Sequence, residues 1–313
     1  MAENGTATFA SSDDYRAAIG AANVNLVVTR GGGFFGRLTW LSLRHIHVLR
    51  GCENLPRIAF IELPAHQAFI SFPTSDTSSF SYGGVRLQLG DVVFHSLGER
   101  VHQRSDGAGQ WGLISLPPER LAACAKALTG VAITSPSEGR VLRPSPGDAK
   151  RLLRFHSKAC GLAESRQRLV SNPEVGRALE QELLHALVHC LMADDVCNSR
   201  RRRRHTDIMV RFETALSERG DLQLNVPLLC TTIGVPERTL RECCKEFLGM
   251  SPTRYQLLRR LNLVRSALRR ADAQATSVAE IARNHHFLEL GRFAVAYRAV
   301  FGEMPSATLR RSN

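Results

Sequence analysis

Lysine is almost absent from this 313-residue chain. Of 41 basic residues only Lys126, Lys150, Lys158 and Lys245 are lysines, and the rest are arginine. No apolar run approaches the ~20 residues of a membrane-crossing helix, so no membrane partner is expected. The opening Met1-Ala-Glu-Asn-Gly-Thr6 carries neither the basic nor the apolar part of a secretory leader, which predicts a cytoplasmic protein. The eight cysteines (Cys52, Cys124, Cys160, Cys190, Cys197, Cys230, Cys243 and Cys244) contain no C-x-x-C pair. That speaks against a thiolate zinc site and a disulfide framework, and leaves them as small core residues. Cys197, beside a run of arginines, is the one placed for redox chemistry. Gly31–Gly33 and Gly83–Gly84 do not lie between a strand and a long helix, as a phosphate loop requires. No nucleophile motif supports a Ser-His-Asp arrangement, and no cofactor is expected.

What is present is ordinary in bulk and uneven in placement. Hydrophobic residues at 43% and charged residues at 22% describe a folded protein long enough for two cores. Net charge is +12, but from Arg201 onward there are 20 basic against 11 acidic residues, or +9. The first two hundred residues hold 21 against 18, only +3. A positive footprint confined to the last third suits a module that contacts phosphates.

Up to about Leu116 the chain reads as short strands broken by Gly, Pro, Ser and Asp. The candidates are 24–28, 35–41, 45–49, 58–63, 68–72, 85–89, 91–94 and 112–116, a spacing that favours an all-β sandwich or barrel. Helices are then predicted over Pro118–Thr129, from Pro146 to about Cys160, and from Asn172 to about Met192. In the last, Leu179, Leu183, Leu187 and Leu191 recur every four residues, and Leu184 and Val188 widen the stripe. So wide an apolar face predicts a dimer surface, with a purely internal role as the alternative. Residues 196–205, with Arg200-Arg-Arg-Arg-Arg204, read as a solvated basic linker able to touch phosphates. The predicted domains are 1–195, this linker, and 206–313.

The last segment contains two helix-turn-helix units joined by one long basic helix. In the first, a lead helix over Asp207–Arg219 is followed by a unit running from Leu224, with Asn225 as a cap, Gly234 at the turn and a reading helix over Glu237–Leu248. Leu240, Cys244 and Phe247 fall inward. Arg238, Arg241 and Glu242 are left facing bases, with Glu237 and Lys245 in support. Arginine can bridge guanine O6 and N7, and a glutamate can accept from cytosine. Against this stands an intrahelical Arg238–Glu242 pair on a solvated face. The connector, from about Thr253 to Arg270, is expected to send Arg254, Arg259, Arg260, Arg265, Arg269 and Arg270 outward, with Arg254 on phosphate. In the second unit Ser277-Val-Ala-Glu280 is a capping box. Its reading helix, Gly291–Phe301, buries Phe293, Tyr297, Val300 and Phe301 and presents Arg292 and Val295 to bases and Arg298 to phosphate. Recognition should therefore be lopsided, with the first unit reading sequence and the second mainly anchoring.

These motifs carry a resemblance. Gly249-Met-Ser-Pro252, Val278-Ala-Glu-Ile-Ala282, Phe293 and Phe301-Gly-Glu-Met-Pro305 look like the DNA-binding domain of AraC/XylS-type bacterial transcription regulators. Gly90-Asp-Val-Val93 and Gly112-Leu-Ile-Ser-Leu-Pro-Pro118 are similar to the cupin-like sensing domain of one branch of that family. The resemblance implies a multidomain α+β protein, with a cupin-like β-barrel or sandwich and trailing helices ahead of an all-α domain. It also implies binding of double-stranded promoter DNA, activation through RNA polymerase, a homodimer, control by a small-molecule effector, and residence on the bacterial nucleoid. No enzymatic activity is expected. The turn of the second unit departs from the family pattern, with His286 where Gly is usual, so His286 is expected at positive φ. Pro236 and Gly291 stand where helix caps are common.

Two further sets of side chains are candidates. Trp40, Phe60, Phe69, Phe72, Phe94 and Trp111, with His45 and His47, could line an effector pocket. His45, His47, Glu53, His95 and His102 resemble a cupin metal set out of register, and are read as ordinary strand residues. A cupin-type metalloenzyme fused to a DNA-binding tail is the alternative function. His185 and His189, four apart, are assigned to a helix interface.

Overall fold

The computed structural model describes residues 4–77, 79–165, 172–196, 200–218 and 225–311. Cys197, Arg219 and Leu224 lie outside the described residues.

Among the described residues twelve strands form the first half: β1 (Asn4–Phe9), β2 (Asn23–Val28), β3 (Gly36–Ser42), β4 (His47–Glu53), β5 (Arg57–Glu62), β6 (Ala68–Pro73), β7 (Phe80–Tyr82), β8 (Val85–Arg86), β9 (Val92–Phe94), β10 (Arg100–Ser105), β11 (Gly109–Leu116) and β12 (Arg140–Leu142). They make two antiparallel sheets, ordered β1-β3-β4-β11-β6-β9-β12 and β2-β5-β10-β7-β8. The helices α1 (Ser12–Ala18), α2 (Pro118–Thr129), α3 (Pro146–Ser165) and α4 (Pro173–Leu191) belong to the same half. The helical third comprises α5 (Arg200–Glu218), α6 (Val226–Ile233), α7 (Glu237–Leu248), α8 (Pro252–Arg270), α9 (Val278–Asn284), α10 (Leu290–Phe301) and α11 (Pro305–Arg310).

Alternation along the strands fills three cores. Leu38, Leu49, Phe69, Phe80, Val93, Val101 and Trp111 point between the sheets. Their neighbours Val48, Ile70, Phe72, Phe94 and Ile114 point the other way, where α2, α3 and α4 cover the seven-stranded sheet. β6 is consequently buried along its whole length, so Ala68-Phe-Ile-Ser-Phe72 reads as a continuous apolar run. On α3, His156 donates from Nε2 to the Leu49 carbonyl at 2.9 Å, edge-on to Phe72. Burial lowers its pKa from the ordinary 6.5 to about 4.

This arrangement corrects the dimer surface expected on α4. Leu179, Leu183, Leu187 and Leu191 are all buried within the chain, with Leu184 and Val188 beside them. The stripe is wide because it meets α2, α3 and the outer face of a sheet at once.

The outer face of the five-stranded sheet is covered by the helical third. Val27 and Ile58 join the core of that third, with Phe212, Tyr255 and Leu258. Arg100 donates to Thr214 at 3.1 Å, and Asn262 on α8 pairs with the backbone of Val28 on the edge strand β2. The loop after β2 presses on the end of α10. A Cβ at Gly31 would lie 2.7 Å from the Val300 carbonyl oxygen, so only glycine fits there.

The expected linker is helical from Arg200 onward, with Arg201, Arg203 and Arg204 still exposed to solvent. Arg200–Arg204 form the opening turns of α5 rather than a coil. Arg202 lies over the Tyr82 ring at 5.2 Å, Arg203 pairs with Glu138 at 2.6 Å, and His205 is buried against Glu246 at 2.7 Å. Partners on the β half and on α7 make helix the better state for a run whose own charges repel.

Candidate nucleic-acid interface

Each unit is built by local chemistry that the chain carries at its helix ends. In the first, the Asn225 side chain accepts from the Leu228 N–H at 2.8 Å and starts α6, a cap worth ~1 kcal/mol. Gly234, at φ 67°, ends it. Pro236 then leads into α7 without a side-chain cap. Leu240, Cys243, Cys244, Phe247 and Leu248 bury one face of α7. Glu237, Arg238, Arg241, Glu242 and Lys245 are exposed on the other.

On that open face two ion pairs run one turn each. Arg238 Nε lies 3.0 Å from Glu242, and Arg241 Nε lies 2.7 Å from Glu237. The pair weighed against base reading is therefore formed in the chain alone. Hydrogen bonding from Arg238 holds the Glu242 carboxyl below its usual range. Exposed pairs of this kind are screened by water and contribute little, so a guanine edge or a phosphate can replace the carboxylate at little cost. The Arg238 side chain is 90% exposed.

Gly249, at φ 72°, closes α7, and the Ser251 hydroxyl accepts from Arg254 N–H to start α8. The arginines of α8 do not share one outward face, which corrects the expectation. Arg254, Arg269 and Arg270 are exposed, Arg265 is half-buried, and Arg259 and Arg260 are buried. Arg259 reaches Glu213 on α5, and also Ser217 at 2.9 Å. Tyr255 donates to the same carboxylate at 2.5 Å, and His102 Nε2 on β10 lies 2.8 Å from it. Burial pushes the Glu213 carboxyl up, but His102, Arg259 and Tyr255 outweigh it and hold the group below the usual range. Charge is buried here because its counter-charge is buried with it.

The second unit opens on Ser277, whose hydroxyl accepts from Glu280 N–H at 3.1 Å. Its turn carries His286 at φ 63°, the one non-glycine residue at positive φ among the described residues. On α10, Phe293, Tyr297, Val300 and Phe301 are buried as expected. Arg292, Val295 and Arg298 are exposed, with Arg292 held 3.0 Å from Glu289 and Val295 72% open. An exposed valine beside two arginines offers a thymine-methyl contact and two phosphate contacts, and little else.

The proposed effector residues are not brought together. Trp40 and His47 line a cavity of about 720 Å³ between the ends of the two sheets, walled by Leu41, Leu49, Leu63 and His66. Phe94 is buried beneath α2–α4, and Trp111 is buried between the sheets, its Nε1 donating to Glu53 at 2.9 Å. Phe69 and Phe72 are core residues, and Phe60 stacks on His102 with ring centroids 4.9 Å apart. The His45 N–H donates to Glu180, away from the cavity. Sequence reasoning missed His66, which sits in a connection between strands where periodicity carries no signal, and Leu63, the residue just past β5.

The histidines read against a metal go to separate partners. His95 meets Glu99 at 2.6 Å and Ser71 at 2.8 Å, His47 meets Ser42 at 3.0 Å, and Glu53 meets Arg57 at 2.7 Å. Among the described residues no three His, Cys, Asp or Glu side chains gather where they could share an ion. His185 and His189 stack on α4 with ring centroids 4.6 Å apart. Burial raises the thiols of Cys160 and Cys190 to about 12 and that of Cys243 to about 11, so these cysteines stay protonated. Among the described residues no helix is long and apolar enough to cross a membrane.

Comparison with known proteins places the resemblance in the helical third. A family model described as a helix-turn-helix domain matches residues 229–311. The XylDLEGF operon transcriptional activator of Pseudomonas putida is 42% identical over 74 residues, which is 24% of this chain and 23% of that protein. A probable thc operon regulatory protein of Rhodococcus erythropolis is 38% identical over 87 residues, 28% of this chain and 26% of that one. The chain thus spans about a quarter of the length of these curated relatives. Among solved structures, the AraC-like transcriptional activator CuxR aligns over 84% of this chain and 94% of its own, with TM-score 0.46 and 16% identity. ToxT from Vibrio cholerae aligns over 93% and 98%, with TM-score 0.31 and 10% identity. The match falls on the paired units and identifies residues 229–311 as similar to a helix-turn-helix domain.

Proposed function

We propose that this chain is a sequence-specific transcription regulator, an activator by preference, whose β half senses a small-molecule effector. The observation that carries the reading is the pair of exposed basic faces, on α7 and α10, in two units joined by the single helix α8. At 1.5 Å per residue its 19 residues give a rod of about 28 Å, close to the ~34 Å of one duplex turn. The AraC/XylS-type match over the same residues supports it. Residues 1–195 form the sensing domain and 206–313 the DNA-binding domain, with 196–205 leading from one into the other. The protein acts on promoter DNA in the cytoplasm, at the nucleoid, contacts RNA polymerase, works as a homodimer and has no enzymatic activity. Its dimer surface lies elsewhere than the α4 leucines. The cavity at Trp40 and His47 takes the effector, its apolar walls favouring a largely apolar molecule with one polar group.

The test is selection of bound duplexes from a randomised pool by the full chain. Enrichment of two short motifs about one turn apart is expected, with affinity falling steeply as salt rises. No enrichment over random sequence, even at low ionic strength, would overturn the reading.

A further inference from the structure

The second reading helix hangs from a turn that lacks its glycine, and α8 supplies the replacement. His286 sits at φ 63°, a conformation in which a Cβ is disfavoured and glycine is free. Directly beneath this turn lies Arg260, buried on α8. Its Nη2 donates to the His285 carbonyl at 3.0 Å and the His286 carbonyl at 2.6 Å, and its Nε reaches the His285 oxygen at 3.3 Å. The guanidinium lies 4.1 Å from the centre of the Phe287 ring. Three consecutive residues of the turn are therefore held by one planar cation.

What the turn holds in place is the reading helix. Phe287 packs on Phe293 in the first turn of α10, with ring centroids 4.9 Å apart. The Phe287 N–H bonds back to the Ala282 carbonyl on α9 at 2.9 Å, so the main chain that carries the ring is tied to that helix end. The start of α10 has no side-chain cap of its own. Tyr297, Val300 and Phe301 seat the rest of α10, so the Phe287–Phe293 contact is what fixes its first turn, and that contact runs through the turn.

We propose that Arg260 is the positioning residue of the second DNA-reading helix, offsetting the strain of a non-glycine turn at His286 and so setting how α10 meets the duplex. Lysine cannot substitute: a single ammonium lacks the flat fork that reaches two carbonyls and lies on a ring. The inference rests on the reading of α10 as a DNA-contacting helix. It differs from a merely structural role in one respect. A buried arginine that only stabilised the fold would weaken both units together, and a change at His286 would not repair it.

The experiment uses the full chain and the duplex that the wild type enriches from a randomised pool of about 40 base pairs, room for two contacts one turn apart. Footprinting and affinity are measured for Arg260→Met, Arg260→Lys, His286→Gly and the two double variants. Arg260→Met is expected to bind about tenfold or more weaker and to lose protection of one segment while keeping the other. Adding His286→Gly should return that segment and bring affinity to within about threefold of the wild type. Equal protection of both segments by Arg260→Met, or a double variant no better than the single, would overturn the proposal. If Arg260→Met is insoluble, the Arg260→Lys background decides. His286→Gly must improve binding more there than in the wild type, and equal gains in the two backgrounds would overturn it. Failure of the wild type to enrich any duplex strikes the reading of α10 instead, and is distinct from these outcomes.

Discussion

Asn262 treats Val28 as a neighbouring strand would. Its Oδ1 accepts from the Val28 N–H at 3.1 Å, and its Nδ2 donates to the Val28 carbonyl at 3.0 Å. A side chain on the helix between the two reading units thus occupies the open edge of β2. The edge is capped and the two halves of the protein are joined by the same pair of bonds.

Asn262→Leu should loosen this junction. It leaves a backbone donor and acceptor partly buried without partners, a cost of about 1–3 kcal/mol. Limited proteolysis around residue 200 should accelerate, while base preference in a binding-site selection stays the same. Proteolysis at the wild-type rate would show that the bonds do not hold the halves together.

Glu213 gathers His102, Tyr255 and Arg259 around one carboxylate. Glu213→Leu removes the buried carboxylate that Arg259, His102 and Tyr255 share and should cost about 3–5 kcal/mol in thermal or urea unfolding. Because the folded carboxyl is held below its ordinary value of 4.5, its contribution is complete above that pH. It is lost only as pH falls further, through the folded value. A stability loss shared between pH 7 and 5 would point to a different group.

His156 is that different group. Its folded pKa of about 4 lies below the ordinary 6.5, so between these values the unfolded chain binds a proton that the folded one does not. Stability should therefore fall as pH drops from 6.5, by about 2 kcal/mol at pH 5. His156→Leu should flatten this slope, whatever it does to stability at pH 7. An unchanged slope in urea titrations at pH 7, 6 and 5 would reject the assignment.

Arg238 and Arg298 should fail in different ways. Arg238→Ala is expected to change which base is preferred in a binding-site selection, losing about 1–3 kcal/mol at the favoured sequence. Arg298→Ala should weaken all sequences alike and reduce the salt slope by about one. Two variants with the same profile would end the division between a reading unit and an anchoring unit.

Much of the helical third was legible because its signals are local. Asn225 and Ser277 cap within three residues, Gly234 and Gly249 end helices at positive φ, and His286 takes the conformation its position required. The strands were read less fully. β10, Arg100-Val-His-Gln-Arg-Ser105, looks polar because the residues facing the helices include His102, whose partner Glu213 is far along the chain. β1, β7 and β12 are short or polar and leave little alternation to count. Arg259 and Arg260 were assigned outward on charge alone. Only the folded chain shows a carboxylate waiting for one and two carbonyls for the other. Trp40 and His47 share a cavity, but Phe94 and Trp111 do not reach it, since an aromatic on a two-sided sheet has two interiors to enter.

Gly31 gives the molecule a lever. Its missing side chain is what lets a loop of the β half rest on the backbone at the C-terminal end of α10. Any bulk added there must tilt that helix or lift the loop away. A residue near the start of the chain thereby sets the room left for the far end of the last long helix.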